Sequence, residues 1–467
     1  MRFEQIMKAP FDIAADLDTP VSAFIKLQRF NPCFLLESVE GGERLARYSF
    51  LGLGSRLTLE LYPDGLRRNG EMGPRPQTGQ EWLDTLRDAL AVSPDLEPAI
   101  EGLPFAGGLV GASGYDIVRF IERLPENQSE LDGLPQAAYV APQSLLVFDH
   151  LTRRVALLHS GSSEEREALR AEVIEALRSG IDSQPKPGSF SDTVASLSQE
   201  EFEAEVAHCK AHITAGDIYQ IVLSVRFSGT TDLEPFQCYR ALRLLNPSPY
   251  MYYLEVGDLR VAGSSPEALV RLDGREASLS PIAGTRPRGR DDAEDRALEE
   301  ELLADPKENA EHVMLVDLAR NDLGRVAAAG SVHVDPYLKI ERYSHVMHIV
   351  SGVLGEVVEE KDAFDLFAAT FPAGTLVGAP KVRAMELIAG MEPVGRGLYG
   401  GTIGYFANNG NMDQAITIRT MVFNGNEYSF QAGAGIVADS DPEREYEEVL
   451  AKSAILRSAL EIAEEGL

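Results

Sequence analysis

An α+β fold is what the sequence predicts. Near the C-terminal end three apolar runs, Gly401–Phe406, Ala415–Val422 and Tyr428–Gln431, follow one another with only Asn/Gly turns between them. Consecutive strands on short turns pair antiparallel. Long helical patterns stand apart from these runs, which excludes a doubly wound parallel sheet.

Along the chain, the first block reaches about Gly180. It holds strand-like runs at Leu57–Tyr62 and Gln143–Asp149, and helices at roughly Glu81–Ala91 and Glu164–Arg178, where apolar residues recur three and four apart. The Pro, Gly and Ser of Gly180–Ser191 then break the pattern and read as a linker. Ser198 with Glu201 forms a capping box that opens a second block with a helix, followed by the strand Tyr219–Phe227. The expected organisation is residues 1–180, a linker at 181–197, and a larger unit at 198–467.

Composition limits function. The 467 residues carry 73 acids against 43 bases, a formal charge of −30 that repels nucleic acid and anionic membrane. An anionic substrate therefore needs locally arranged cations or a metal. No apolar run approaches the ~18 residues of a membrane span. The first residues carry an early acid and no apolar core of a signal peptide, so the chain is expected in the cytoplasm. Cys33, Cys209 and Cys238 are too scattered for a disulfide framework or a zinc site and read as small buried hydrophobes.

Two helical segments each present a pair of carboxylates three residues apart, Glu308 with Glu311 and Glu445 with Glu448. Positions i and i+3 share a helix face, so a hard cation fits between two such helices. Acids that merely complement helix dipoles are the plainer alternative, and spacing does not decide between them. Glycine-rich segments at Pro281–Gly289, Pro372–Lys381, Tyr399–Thr402 and Ala432–Ile436 read as turns in which backbone N–H groups can approach an oxyanion. None is a phosphate loop or a dinucleotide fingerprint.

These residues resemble the chorismate-utilising enzymes, and within them the large subunits of anthranilate synthases. The carrying motifs are Ser265-Pro-Glu267, Pro281–Gly289, Ala310–Asp322, His345-Val-Met-His348, Gly378-Ala-Pro-Lys381, Tyr399-Gly-Gly401, Gln431–Ile436 and Glu445–Lys452. The resemblance implies antiparallel sheets stacked centrally with helices outside. It implies Mg²⁺ on Glu311 and Glu448, with Glu308 and Glu445 in support. It also implies a substrate shell of Gly284, Thr285, Tyr399, Arg419, Gly433, Ala434, Gly435 and Lys452. Glu267 would be the acid that protonates the departing C4 hydroxyl as ammonia adds at C2 of chorismate. His348 would serve the loss of pyruvate that yields anthranilate, and Thr285 would be catalytic as well as part of the substrate shell.

Two positions discriminate within the family. Aminodeoxychorismate synthases, the alternative reading, usually carry Lys where Ala283 stands, and alanine cannot attack the ring. Isochorismate-forming relatives usually carry a water-activating Lys where Gln220 stands, and an amide is no base near neutral pH. The sequence has no glutaminase motif, so a glutamine amidotransferase subunit is implied as the ammonia source. Ser38, Pro249, Tyr250 and Met251 resemble the segments that bind L-tryptophan as inhibitor. Val377 departs from the family, which commonly has Ser there.

Overall fold

The computed structural model describes residues 9–38, 47–125, 131, 133–181, 187–343 and 346–467. His345 of the His-Val-Met-His motif and residues 182–186 of the expected linker lie outside them.

Among the described residues, 21 strands form one sheet, and three more form a small separate one. Alternation builds the long strand Tyr48–Tyr62: Leu57, Leu59 and Leu61 face the core, and the strand pairs antiparallel with Ala137–Asp149. Helix Gly79–Ala91 is capped by Thr78 and buries Trp82, Leu83, Leu86 and Ala89 along one stripe. The Ser198–Glu201 capping box is present, with Ser198 Oγ accepting from Glu201 N and Glu201 Oε2 accepting from Ser198 N.

Strands from the two sequence blocks are hydrogen-bonded to each other. Pro32–Glu37 pairs with Tyr250–Val256, and Gly108–Ser113 with Thr402–Ala407. In the 181–197 segment, Val194–Ala195 adds to the strand Gln220–Thr230. All three cysteines are buried and free, and burial pushes their thiols up.

The structure corrects three local expectations. The run Ala415–Val422 is two strands, Met412–Ile416 and Thr420–Asn424, because Arg419 between them adopts a left-handed φ of 50°. Ala432–Ile436 is the end of the last strand, Glu427–Ile436, rather than a turn. Most of Pro281–Gly289 is likewise a strand, Ile282–Pro287. That strand joins Val346–Val350 and Lys339–Arg342 in the small sheet, over its own core of Leu302, Ile340, Met347 and Ile349. Val377 is fully buried in the main core.

Candidate active site

Glu267 lies in the turn between strands Leu259–Ser265 and Ala268–Asp273. Ser265 Oγ donates to Ile416 O at 2.6 Å, and Ile416 N donates to Glu267 O at 3.0 Å, which staples this turn to the strand Met412–Ile416. Burial pushes the Glu267 carboxyl up to about 7, against the lowering pull of the Thr375 hydroxyl, Arg419 and Lys452. Thr375 Oγ1 donates to Glu267 Oε1 at 3.0 Å. A carboxyl that is half-protonated near neutrality suits a general acid.

Arg419 is the cation closest in influence. Its guanidinium has no hydrogen-bond or ion-pair partner among the described residues, although burial disfavours its charge and Glu267 supports it. A left-handed backbone at a non-glycine residue is a strained state held by its surroundings, here the Ile418 N to Ile416 O contact of 3.0 Å and the Ser264 N to Arg419 O bond of 3.1 Å. A strained, unpaired arginine is what a carboxylate-binding position requires.

The last strand supplies a backbone wall. Gly433 and Gly435 are register partners of Ser224 and Val222, while the strand on the other side stops at the Met421–Phe430 pair. Lys452 Nζ donates to Gly433 O at 3.0 Å, so this carbonyl points to the open edge. In a strand the N–H and C=O of one residue point the same way and alternate residue by residue, so the N–H groups of Gly433 and Gly435 face that edge too, and that of Ala434 faces away. A Cβ at Gly433 would lie 2.7 Å from Tyr399 Oη, and one at Gly435 2.8 Å from Gln220 Nε2. Only glycine lets these neighbours close in.

Across the site, His348 Nδ1 lies 3.0 Å from Thr285 Oγ1 and 3.2 Å from Gly284 O. A carbonyl only accepts, so Nδ1 carries the proton and Nε2 keeps a free lone pair. Burial lowers the His348 pKa, the Gly284 contact opposes this, and the Arg419 charge lowers it further, so the ring is neutral at pH 7. Arg419 thus influences both Glu267 and His348. Gly284 adopts a φ of 66°, which strains any other residue, and a Cβ there would press on the side-chain ends of Leu302, Ile349 and Glu308 at 3.0–3.2 Å.

The paired carboxylates sit on helices Pro306–Gly324 and Pro442–Glu465. Burial raises Glu311, Gln220 opposes this with an amide 3.3 Å from the carboxylate, and repulsion from Glu308 and Glu448 adds to the rise. Burial and Glu448 raise Glu445, and Lys307 influences both Glu311 and Glu445, so the two helices bring their acids together. Two of the acids are countered by protein cations: Arg286 holds Glu308 at 3.1 Å and Lys452 holds Glu448 at 2.6 Å. Among the described residues, no three acidic, His or Cys side chains form a ready-made chelate. Mutually repelling oxygen donors without a full chelate match a hard cation that takes one or two carboxylates and fills its shell with water and substrate.

Ser38, Pro249, Tyr250 and Met251 lie elsewhere, together on the wall of a cavity of about 490 Å³. Sequence reasoning assigned no role to Thr375, within the glycine-rich Pro372–Lys381 segment, nor to Glu37, Arg271, Tyr405 and Asp413 of this second cavity. Only the company of glycine and proline marked Thr375, Glu37 was marked only as the neighbour of Ser38, and nothing local marked the others.

An acid of raised pKa, an unpaired arginine, a glycine backbone edge and two pairs of carboxylates make up a site whose free guanidinium and N–H groups suit a small anion. The chain belongs to the chorismate binding enzyme family, whose match covers residues 31–458. It is similar to anthranilate synthase component 1 of Thermus thermophilus, at 47% identity over 97% of this chain and 97% of the relative. The same protein of Acetivibrio thermocellus is 44% identical over 98% and 96%. The crystal structure of anthranilate synthase component I from Streptococcus pneumoniae superposes with a TM-score of 0.79 at 35% identity, over 95% of this chain and 99% of that one.

Proposed function

We propose that this chain is the chorismate-converting subunit of an anthranilate synthase and acts in the cytoplasm with Mg²⁺ and a glutamine amidotransferase partner. The observation that carries the reading is Glu267, raised to about 7 beside the unpaired Arg419. Arg419 and the N–H groups of Gly433 and Gly435 hold one carboxylate of chorismate. Tyr399 and Lys452 close that wall. Mg²⁺ held by Glu311 and Glu448, with Glu308 and Glu445 in support, would offset the charge of the other carboxylate.

Ammonia from the partner adds at C2 as the C4 hydroxyl leaves as water, protonated by Glu267. His348 Nε2, oriented by Thr285 and Gly284, then takes the C2 proton. The C3–O bond breaks, pyruvate departs in its enol form, and the ring becomes aromatic. General acid–base assistance of this kind is worth roughly 10²–10⁴-fold. Ala283 and Gln220 supply neither the amine nor the base that sister reactions use. With relatives of 44% and 47% identity carrying the anthranilate synthase name, the aminodeoxychorismate alternative is not favoured. The second cavity receives L-tryptophan as inhibitor through Ser38, Pro249, Tyr250 and Met251; its volume suits one amino acid with an aromatic side chain.

The test incubates the chain with chorismate, ammonium salt and Mg²⁺, with and without EDTA, and identifies products by chromatography and mass. Metal-dependent anthranilate with equimolar pyruvate supports the reading. An aminochorismate that keeps its enolpyruvyl group would assign the chain to a sister reaction.

A further inference from the structure

One buried ion pair meets only Tyr399 among the residues assigned to substrate, yet most of its other contacts lead to a wall of the site. Glu392 caps helix Lys381–Met391, and Arg396 precedes Tyr399; their side chains are 5% and 1% exposed. Arg396 Nε donates to Glu392 Oε2 at 2.8 Å and Nη2 to Glu392 Oε1 at 2.7 Å. Two further N–H groups, on Nη1 and Nη2, reach Leu376 O at 2.7 Å and Val222 O at 2.8 Å. The guanidinium lies 4.8 Å from the Tyr115 ring and 5.7 Å from the Tyr399 ring. Glu392 Oε1 also accepts from Ser224 N at 2.9 Å and Ser224 Oγ at 2.6 Å.

Leu376 follows Thr375, whose hydroxyl holds Glu267. Val222 and Ser224 are the register partners of Gly435 and Gly433. Tyr399 packs its hydroxyl against Gly433. Stability alone is a poor reason to keep such a pair, because desolvating two ions often costs as much as their attraction returns. A planar fork that meets a carboxylate and two carbonyls at once fixes distances that apolar packing leaves adjustable.

We infer that Glu392 and Arg396 are positioning residues that hold three walls of the active site, Thr375 with Glu267, the Tyr399 ring and the Gly433–Gly435 strand, at reacting separation. The inference rests on the amination reading above.

Three variants test it in the intact chain, each assayed with chorismate, ammonium and Mg²⁺ after thermal unfolding has been compared with the wild type. Arg396→Met with Glu392→Gln removes both charges together, so neither is left buried alone. Arg396→Lys keeps the charge but cannot span Leu376 O and Val222 O together. Ser224→Ala, a single-atom deletion, loosens Glu392 and keeps the chain folded should either other variant fail. Folded variants are expected to lose kcat by about 10–100-fold for the arginine changes, and less for Ser224→Ala, because misplacement by ~1 Å has that scale of cost. KM for chorismate is expected to change less than kcat, and lysine not to rescue. Thr375→Val added to the most disruptive folded variant is expected to cost less than in the wild type, since both act on Glu267 by one route. Unchanged kcat in folded variants, or losses that simply multiply, would overturn the inference and leave the pair a structural one. A wild type that makes no anthranilate would instead remove the reading beneath it.

Discussion

The two cavities differ in how their charges are balanced. Around the one lined by Ser38 and Tyr250, every acid has a partner: Asp413 takes Arg271 at 3.0 Å and the Tyr250 hydroxyl at 3.0 Å, and Glu37 takes Arg243 at 3.0 and 3.2 Å with the Tyr239 hydroxyl at 2.6 Å. In the site around Glu267, the Arg419 guanidinium has no hydrogen-bond or ion-pair partner among the described residues, and no cation there forms a salt bridge with Glu267, Glu311 or Glu445, whose carboxyls burial raises above their ordinary values. A cavity that neutralises itself suits a ligand whose own charges cancel, such as a zwitterionic amino acid. One that leaves cation and anion positions unmatched suits a ligand that brings charge of its own. The contrast distinguishes the two cavities by their charge rather than by their size.

The comparison breaks most sharply at the acids. Glu311→Gln and Glu448→Gln are each expected to lower metal-dependent turnover by about 10³-fold or more, since a bound metal supplies several kcal/mol of charge stabilisation. Circular dichroism should show both variants folded; substantial activity in either would sink the two-helix Mg²⁺ site. Next in size, Arg419→Ala is expected to cost roughly 10²–10³ in kcat/KM, and Arg419→Lys to restore only part, because a point charge cannot fork onto a carboxylate. Equal activity of the lysine variant would reduce Arg419 to a diffuse charge.

Thr375→Val sharpens the account of Glu267. The Thr375 hydroxyl favours the carboxylate, so its loss lifts the acid from about 7 to a higher value. Glu267 acts as an acid only when protonated, so the alkaline limb of kcat/KM, set near pH 7 in the wild type, should move to higher pH. A limb that stays in place would assign it to another group. The smallest effect on catalysis belongs to the other cavity. Met251→Ala is expected to raise the tryptophan concentration for half-inhibition by about tenfold, a loss of ~1.4 kcal/mol, while uninhibited kcat stays near the wild-type value. A matched fall in kcat would mean that the two cavities are not separable.

What could be read before folding follows the physics of each feature. Elements with a strong period or cap were legible: Leu57, Leu59 and Leu61 alternate, and Ser198 with Glu201 spells a cap. The break at Arg419 was not, because apolar residues run on both sides and the left-handed backbone is imposed by tertiary contacts. The glycines of Ala432–Ile436 suggested a turn, whereas they serve a strand that Tyr399 and Gln220 approach closely. Spacing proposed the paired acids but could not bring two helices together, and the family resemblance supplied that step. Thr375, Glu392 and Arg396 were invisible for a related reason: their roles exist only through partners far along the chain.

The most direct measurement supplies nitrogen-15 ammonium, Mg²⁺ and chorismate to the chain alone and follows nitrogen and carbon by mass. Anthranilate carrying the label, with one pyruvate per chorismate and none of either after EDTA, is the expected result. Labelled product that retains the enolpyruvyl group would contradict the role of His348 in expelling pyruvate. A hydroxylated product without label would contradict the role of Gln220 in excluding water as nucleophile, and with it the amination itself.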